Sequence, residues 1–170
     1  MRPFTACLLA LVVCGCGVHR AAKLPATIPS VAGEPRIAFA LRYTDVALGY
    51  GAIAAPGKCL YAHYTGWLAN GTKFDSSRDT MPNGKPRAPI SFPQGARRVI
   101  AGWDAGFEGM RVGGRRRLFI PYQLAYGEVG RPPLIPPKSE LIFDVELVAV
   151  ADPLSRAEGP SPPQCPGLGK

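Results

Sequence analysis

The chain has 170 residues, 46% hydrophobic and 19% charged, with a net charge of +8. That length supports one domain with a real core and leaves residues over for appendages. The positive balance would suit nucleic acid or an anionic membrane. However, no Lys/Arg-rich segment is interleaved with aromatics as a single-strand-binding groove requires, and five cysteines and two distant histidines, His19 and His63, show no metal-ligand spacing. The expectation is therefore no nucleic acid, no metal and no cofactor.

Residues 1–17 read as an export signal. Arg2 gives the positive start, and residues 4–13 are an apolar run too short for a permanent bilayer span. The following Val13-Cys14-Gly15-Cys16 resembles a bacterial lipobox. That implies lipidation at Cys16, which has the small Gly15 before it, with Cys14 as the rival position. Two acyl chains on the cysteine would meet the requirement for stable anchoring. Gly17 follows Cys16 where an aspartate typically holds lipoproteins at the inner membrane. The expected place is the bacterial cell envelope, on the periplasmic side, anchored through lipid to the outer membrane. Residues 18–35, rich in Ala, Pro and Ser, read as a flexible tether.

The domain is expected over residues 36–150. Residues 36–45 (RIAFALRYTD) alternate loosely and predict a first strand. Residues 58–68 (KCLYAHYTGWL) predict a strong one, with Leu60, Ala62, Tyr64, Gly66 and Leu68 facing inward and His63 outward, without a function. Asn70-Gly71 signals a hairpin turn, and residues 72–76 (TKFDS) return. In a regular strand Phe74 and Asp75 point to opposite faces. Residues 77–89 form a Pro/Gly/Asn-rich loop carrying Arg78, Lys85 and Arg87, and a strand resumes at Ile90.

Residues 99–110 (VIAGWDAGFEGM) place Val99, Ile100, Trp103, Phe107 and Met110 on one side at helical spacing. Gly102, Gly106 and Gly109 each cost about 1 kcal/mol of helix propensity against Ala. Such a helix is held by what packs on it. Residues 115–121 (RRRLFIP) predict a strand whose arginines form a solvated end. Residues 122–137 form a long loop of the kind that is usually functional. Residues 139–150 predict a last strand with Leu141, Phe143, Val145 and Leu147 inward. Residues 151–170 read as a disordered Pro-rich tail. Cys59 is read as a small buried hydrophobe, or as the partner of Cys165 in a disulfide if the tail folds back. The fold class is α+β: a curved antiparallel sheet of about five strands wrapped over one short helix.

The ordered series YAHYTGWLANGTKFDSSRD (61–79), residues 99–122, Ala125-Tyr126-Gly127, Ile135-Pro136-Pro137 and LIFDVEL (141–147) resembles the FKBP-type peptidyl-prolyl cis-trans isomerases over roughly residues 41–150. The resemblance implies a proline pocket. Trp103 would be its floor. Tyr64, Phe74, Val99, Ile100, Tyr126 and Phe143 would be walls, and Asp75 the one carboxylate at the rim. Ile90 stands at a position that is usually aromatic. Leu134 and Ile135 lie in an overhanging loop, Arg131 stands where some members carry His, and Arg98 where a common member carries an acid. Asp75, Tyr126, Tyr64 and Phe143 would be the catalytic set. The resemblance leaves open whether Arg78 or Arg87 takes the arginine role beside Asp75. It also implies macrolide immunosuppressant-type inhibitors.

These residue types suit the chemistry. Rotation about X-Pro is slow because the C–N bond has double-bond character, with a barrier of ~18–20 kcal/mol. The twisted amide separates less charge than the planar one, so an apolar pocket favours it differentially. The expected function is isomerisation of X-Pro bonds in exported proteins. The alternative is a peptide-binding chaperone or surface interaction module with incidental isomerase activity.

Overall fold

A computed structural model of the chain describes residues 40–154 and 164–167. The export signal, Cys14, Cys16 and the tether lie outside the described residues. Alternation of apolar and polar residues builds six strands: β1 (Arg42–Ala47), β2 (Cys59–Leu68), β3 (Lys73–Ser76), β4 (Ile90–Pro93), β5 (Arg115–Ile120) and β6 (Leu141–Ala151). They form one sheet in the order β1-β5-β6-β2-β3, with β4 also pairing β2. Every pairing is antiparallel. The fold class is the expected one, with six strands for about five; β1 covers Arg42–Ala47 of the expected first strand, whose residues 36–39 lie outside the described residues.

β2 is the shared strand. One of its edges pairs β6 along its whole length. The other pairs β4 over Cys59–Ala62 and β3 over Thr65–Trp67. In the gap at Tyr64 the backbone is satisfied from the Ser76-Ser77 corner. The Tyr64 N–H donates to the Ser77 hydroxyl (2.8 Å), and the Tyr64 carbonyl accepts from the Ser77 N–H (3.0 Å). Buried backbone groups left without such partners would be costly.

The helix is shorter than its apolar spacing predicts. α1 covers Ala101–Gly106, because Ile100 is extended (φ −60°, ψ 146°) and Gly109 turns the chain at φ 73°. Trp103, Phe107 and Met110 are nevertheless all buried, as the spacing requires. Six residues cannot hold a helix in water by themselves. Packing does so here, and it depends on two glycines. A Cβ on Gly102 would stand 2.3 Å from Ile120 Cγ2, and one on Gly106 would stand 2.7 Å from Leu118 Cδ1. The helix backbone therefore rests directly on β5.

Two expectations about polar and terminal segments are corrected. Arg116 is not a solvated strand end: it is 6% exposed, pairs with Asp45 (2.6 Å), and donates to the carbonyls of Gly106 (2.8 Å) and Glu108 (3.2 Å). The Gly106 carbonyl ends the helix and that of Glu108 follows in the turn beyond it, so a buried guanidinium satisfies the helix end. The second correction concerns residues 164–167 of the stretch read as a disordered tail. Cys165 forms a disulfide with Cys59, and the Tyr61 hydroxyl donates to the Pro166 carbonyl. These links hold the segment against β2. Cys59 and Tyr61, on the strand's outward set, are consequently buried along with the inward residues.

Replacing Gly102 with Ala is expected to destabilise the protein by about 1–3 kcal/mol, the usual cost of overpacking, despite the gain in helix propensity. Urea unfolding of the variant beside the parent measures this.

Candidate active site

The sheet and helix converge on one cavity of about 220 Å³. Each element contributes for a local reason. β2 turns Tyr64 inward, and β6 does the same with Phe143. α1 presents Trp103, with Val99 and Ile100 immediately before it. β4 begins with Ile90, and the loop after β5 carries Tyr126. β3 does not follow the regular alternation expected of it. Its register against β2 shifts between Gly66–Asp75 and Trp67–Lys73, leaving Phe74 as the extra residue. Such a bulge re-aims side chains. Phe74 and Asp75 consequently line the same cavity instead of facing apart.

Trp103 is the hub of the walls. Its ring centroid lies 5.1 Å from Tyr64, 5.2 Å from Phe143, 5.7 Å from Phe92 and 5.5 Å from Phe107. Phe74 meets Phe143 edge-on at 5.5 Å. Edge-to-face pairs of this kind contribute about 0.5–1.5 kcal/mol each beyond their buried area. The floor is therefore fixed from several sides.

The polar groups at the rim form a connected set. Asp75 accepts from the Tyr64 hydroxyl (2.5 Å), its neighbour's Ser76 N–H (2.9 Å) and Arg87 (3.1 Å). Arg87 also donates to the Ser76 carbonyl (2.9 Å), while Arg78 pairs with Glu146. The arginine beside Asp75 is thus Arg87. Burial, and next the hydrogen bond to Asp75, push the Tyr64 hydroxyl well above the ordinary tyrosine range, with only Arg87 opposing. Tyr64 stays protonated and donating. At the helix start, the Ile100 N–H donates to no group among the described residues, while its carbonyl accepts from Trp103 (2.9 Å).

Of the site residues named from sequence, Leu134 and Ile135 do not line this cavity. Ile135, a buried residue of the long loop (3% exposed), lines an adjoining cleft of about 400 Å³ with Phe74, Asp75, Tyr126, Arg131 and Leu134. A third cleft, about 360 Å³, opens on the sheet's outer side by His63, Trp67 and Arg78. His63 there meets the Ser77 hydroxyl (3.0 Å).

A family model described as FKBP-type peptidyl-prolyl cis-trans isomerase matches residues 51–148. The chain belongs to that family. Its activity is peptidyl-prolyl cis-trans isomerisation. It is 49% identical over 106 residues to the FK506-binding protein of Neisseria meningitidis serogroup B, covering 62% of this chain and 92% of that one. It is 52% identical over 98 residues to the peptidyl-prolyl cis-trans isomerase FPR2 of Saccharomyces cerevisiae, covering 57% and 68%. A solved peptidyl-prolyl cis-trans isomerase from Pseudomonas syringae superposes with a TM-score of 0.56 at 31% identity, covering 66% of this chain and 76% of that one. The cavity suits the family's chemistry, since an isomerase of this kind needs a shaped apolar site and a few donors, with no covalent step.

The raised Tyr64 hydroxyl has a linkage consequence. Between the ordinary tyrosine range near pH 10 and its own higher value, the folded state binds a proton that the unfolded state has lost. Its contribution to stability is therefore complete below about pH 10 and is lost as pH rises beyond it. Ultraviolet titration of phenolate is expected to show a step above the ordinary tyrosine range, and Tyr64→Phe removes that step.

Proposed function

We propose that the cavity accelerates X-Pro rotation by seating the proline ring on Trp103 while the Ile100 N–H and the Tyr126 hydroxyl hold substrate carbonyls. The observation that carries this reading is Trp103 itself. It is buried at the base of an open cavity, ringed by Tyr64 and Phe143, with an unused backbone donor three residues before it. A planar amide entering these walls loses water that its separated charge prefers, and the twisted amide loses less. An acceleration of 10⁶ asks for about 8 kcal/mol. Differential desolvation and one or two hydrogen bonds formed in the twisted state are of that order.

Asp75 acts in this scheme as an anchor. Its oxygens are already engaged by Tyr64, Ser76 and Arg87, so it fixes the phenol on the wall and shapes the field over the rotating carbonyl. Phe143 and Phe74 close the aromatic side, and Val99, Ile90 and Ile100 the aliphatic one. The same cavity takes macrolide immunosuppressant-type ligands as competitive inhibitors, as family membership implies. Ile90 supplies one aliphatic wall of that ligand site.

The substrates in this reading are exported proteins, on the periplasmic side of a bacterial envelope. The signal-like residues 1–17 support export, and the lipobox-like Cys16 supports a lipid anchor at the outer membrane, with Cys14 the rival. The Cys59–Cys165 disulfide adds support, because such bonds persist mainly in oxidising compartments.

The purified protein is expected to speed cis-to-trans exchange of a short Pro peptide. Asp75→Ala, which frees the Tyr64 hydroxyl and takes from Arg87 its carboxylate partner, is expected to lower kcat/KM about tenfold, the loss of roughly one charge-assisted hydrogen bond. A folded parent with no rate above background would remove the mechanism. Membrane fractionation tests the anchor: Cys16→Ser is expected to move the protein to the soluble fraction. Retention on membranes would point to Cys14 or another anchor.

A further inference from the structure

The rim of the cavity carries more positive charge than the isomerisation uses. Three guanidinium groups stand at it: Arg87, Arg98 and Arg131. One carboxylate, Asp75, stands among them, and Arg87 already neutralises it at 3.1 Å. Arg98 and Arg131 line the cavity, both are exposed, and neither pairs with a carboxylate among the described residues. The nearest acid on the long loop, Glu128, is taken up by Lys138 (2.9 Å). Arg131 is also positioned. Its guanidinium lies 5.7 Å from the centre of the Tyr126 ring and 3.5 Å from the Tyr126 hydroxyl, the proposed donor to substrate. Two unneutralised positive charges therefore overlook the place where the residues flanking a bound proline must lie.

We propose that Arg98 and Arg131 make this site selective for proline segments carrying a carboxylate side chain, Asp or Glu, directly beside the X-Pro bond. The inference rests on the reading that Trp103 seats the proline, because only then do the flanking residues pass the rim. An exposed guanidinium is a weak partner in isolation. Two of them over an apolar cavity floor act together on one flexible substrate charge, and their fixed forks match carboxylate geometry. The selectivity is expected in kcat/KM, at about three- to tenfold in favour of Glu over Gln at low salt. Added salt is expected to erase it, since at 1 M the screening length falls to about 3 Å.

The experiment compares acetyl-capped, amidated tetrapeptides with Glu, Gln or Leu immediately before proline, and a matched set with the same residues immediately after it. Exchange is read by NMR at low salt and at 1 M NaCl. The parent protein is expected to prefer Glu over Gln in at least one set, with the preference gone at 1 M. Arg98→Gln combined with Arg131→Gln is expected to bring the Glu/Gln ratio to about one, while Arg98→Lys with Arg131→Lys keeps it above one. The Gln and Leu peptides report isomerase turnover itself, so a protein inactive on all peptides counts against the proline-on-Trp103 reading. Turnover with a Glu/Gln ratio near one in both sets, or a ratio that persists in the double Gln variant, overturns the selectivity proposal.

Discussion

The structure depends on how closely a six-residue helix lies on the sheet. α1 has no stability of its own, so its position is set entirely by the surfaces around it. Gly102 and Gly106 let its backbone meet Ile120 and Leu118 with no side chain between. That approach is what lowers Trp103 to the level of Tyr64, Phe92 and Phe143. A larger residue at either glycine would lift the helix, and the cavity floor would rise with it. The same approach brings the end of the helix within reach of Arg116, whose guanidinium answers the Gly106 and Glu108 carbonyls. The helix is thus fixed along its length by contact and at its end by charge. The propensity lost at its glycines is offset by burial.

The second constraint is the bulge in β3. Without it Phe74 and Asp75 would face opposite sides of the sheet, and the cavity would have either its aromatic edge or its carboxylate, but not both. With it, one short strand contributes both. The carboxylate arrives already engaged with Tyr64, Ser76 and Arg87. A bare carboxylate would hold water at the mouth of the cavity and weaken the desolvation on which X-Pro rotation draws. Binding it into a neutralised cluster keeps the mouth polar enough to orient a peptide and the interior dry enough to favour the twisted amide.

These features divide by the range over which they are encoded. Alternation in residues 58–68 and 139–150 shows β2 and β6, because side-chain periodicity along a half-buried strand is a local consequence of the pleat. The 3–4 spacing of Trp103, Phe107 and Met110 shows which side of the helix is buried. It overstates the helix length, since Ile100 and Val99 pack on the same core from an extended backbone. The bulge cannot be read from KFDS, because it belongs to the register between two strands. Arg116 is indistinguishable in sequence from Arg115 and Arg117, which are both exposed. Its burial follows from where the helix ends across the sheet. The disulfide joins residues 106 positions apart and turns an outward strand face into an interior one. Nothing in the neighbourhood of Cys59 signals that.

The site has a further division of labour. The floor and most of the walls come from β2, β3, β4, β6 and α1, elements held by backbone ladders and packed rings, with Tyr126 added from the loop after β5. The groups that differ most in charge, Arg87, Arg98 and Arg131, come from segments between elements. Stabilising a twisted amide requires walls that do not give, because interactions made only in the transition state raise the rate only if the site is already shaped for it. Choosing among polypeptides requires groups that meet whatever flanks the proline, and loops supply these without disturbing the core. On the proposed mechanism the reaction is therefore a property of the packed interior around Trp103. The proposed preference among substrates belongs to its rim, where one charge can change without moving the floor.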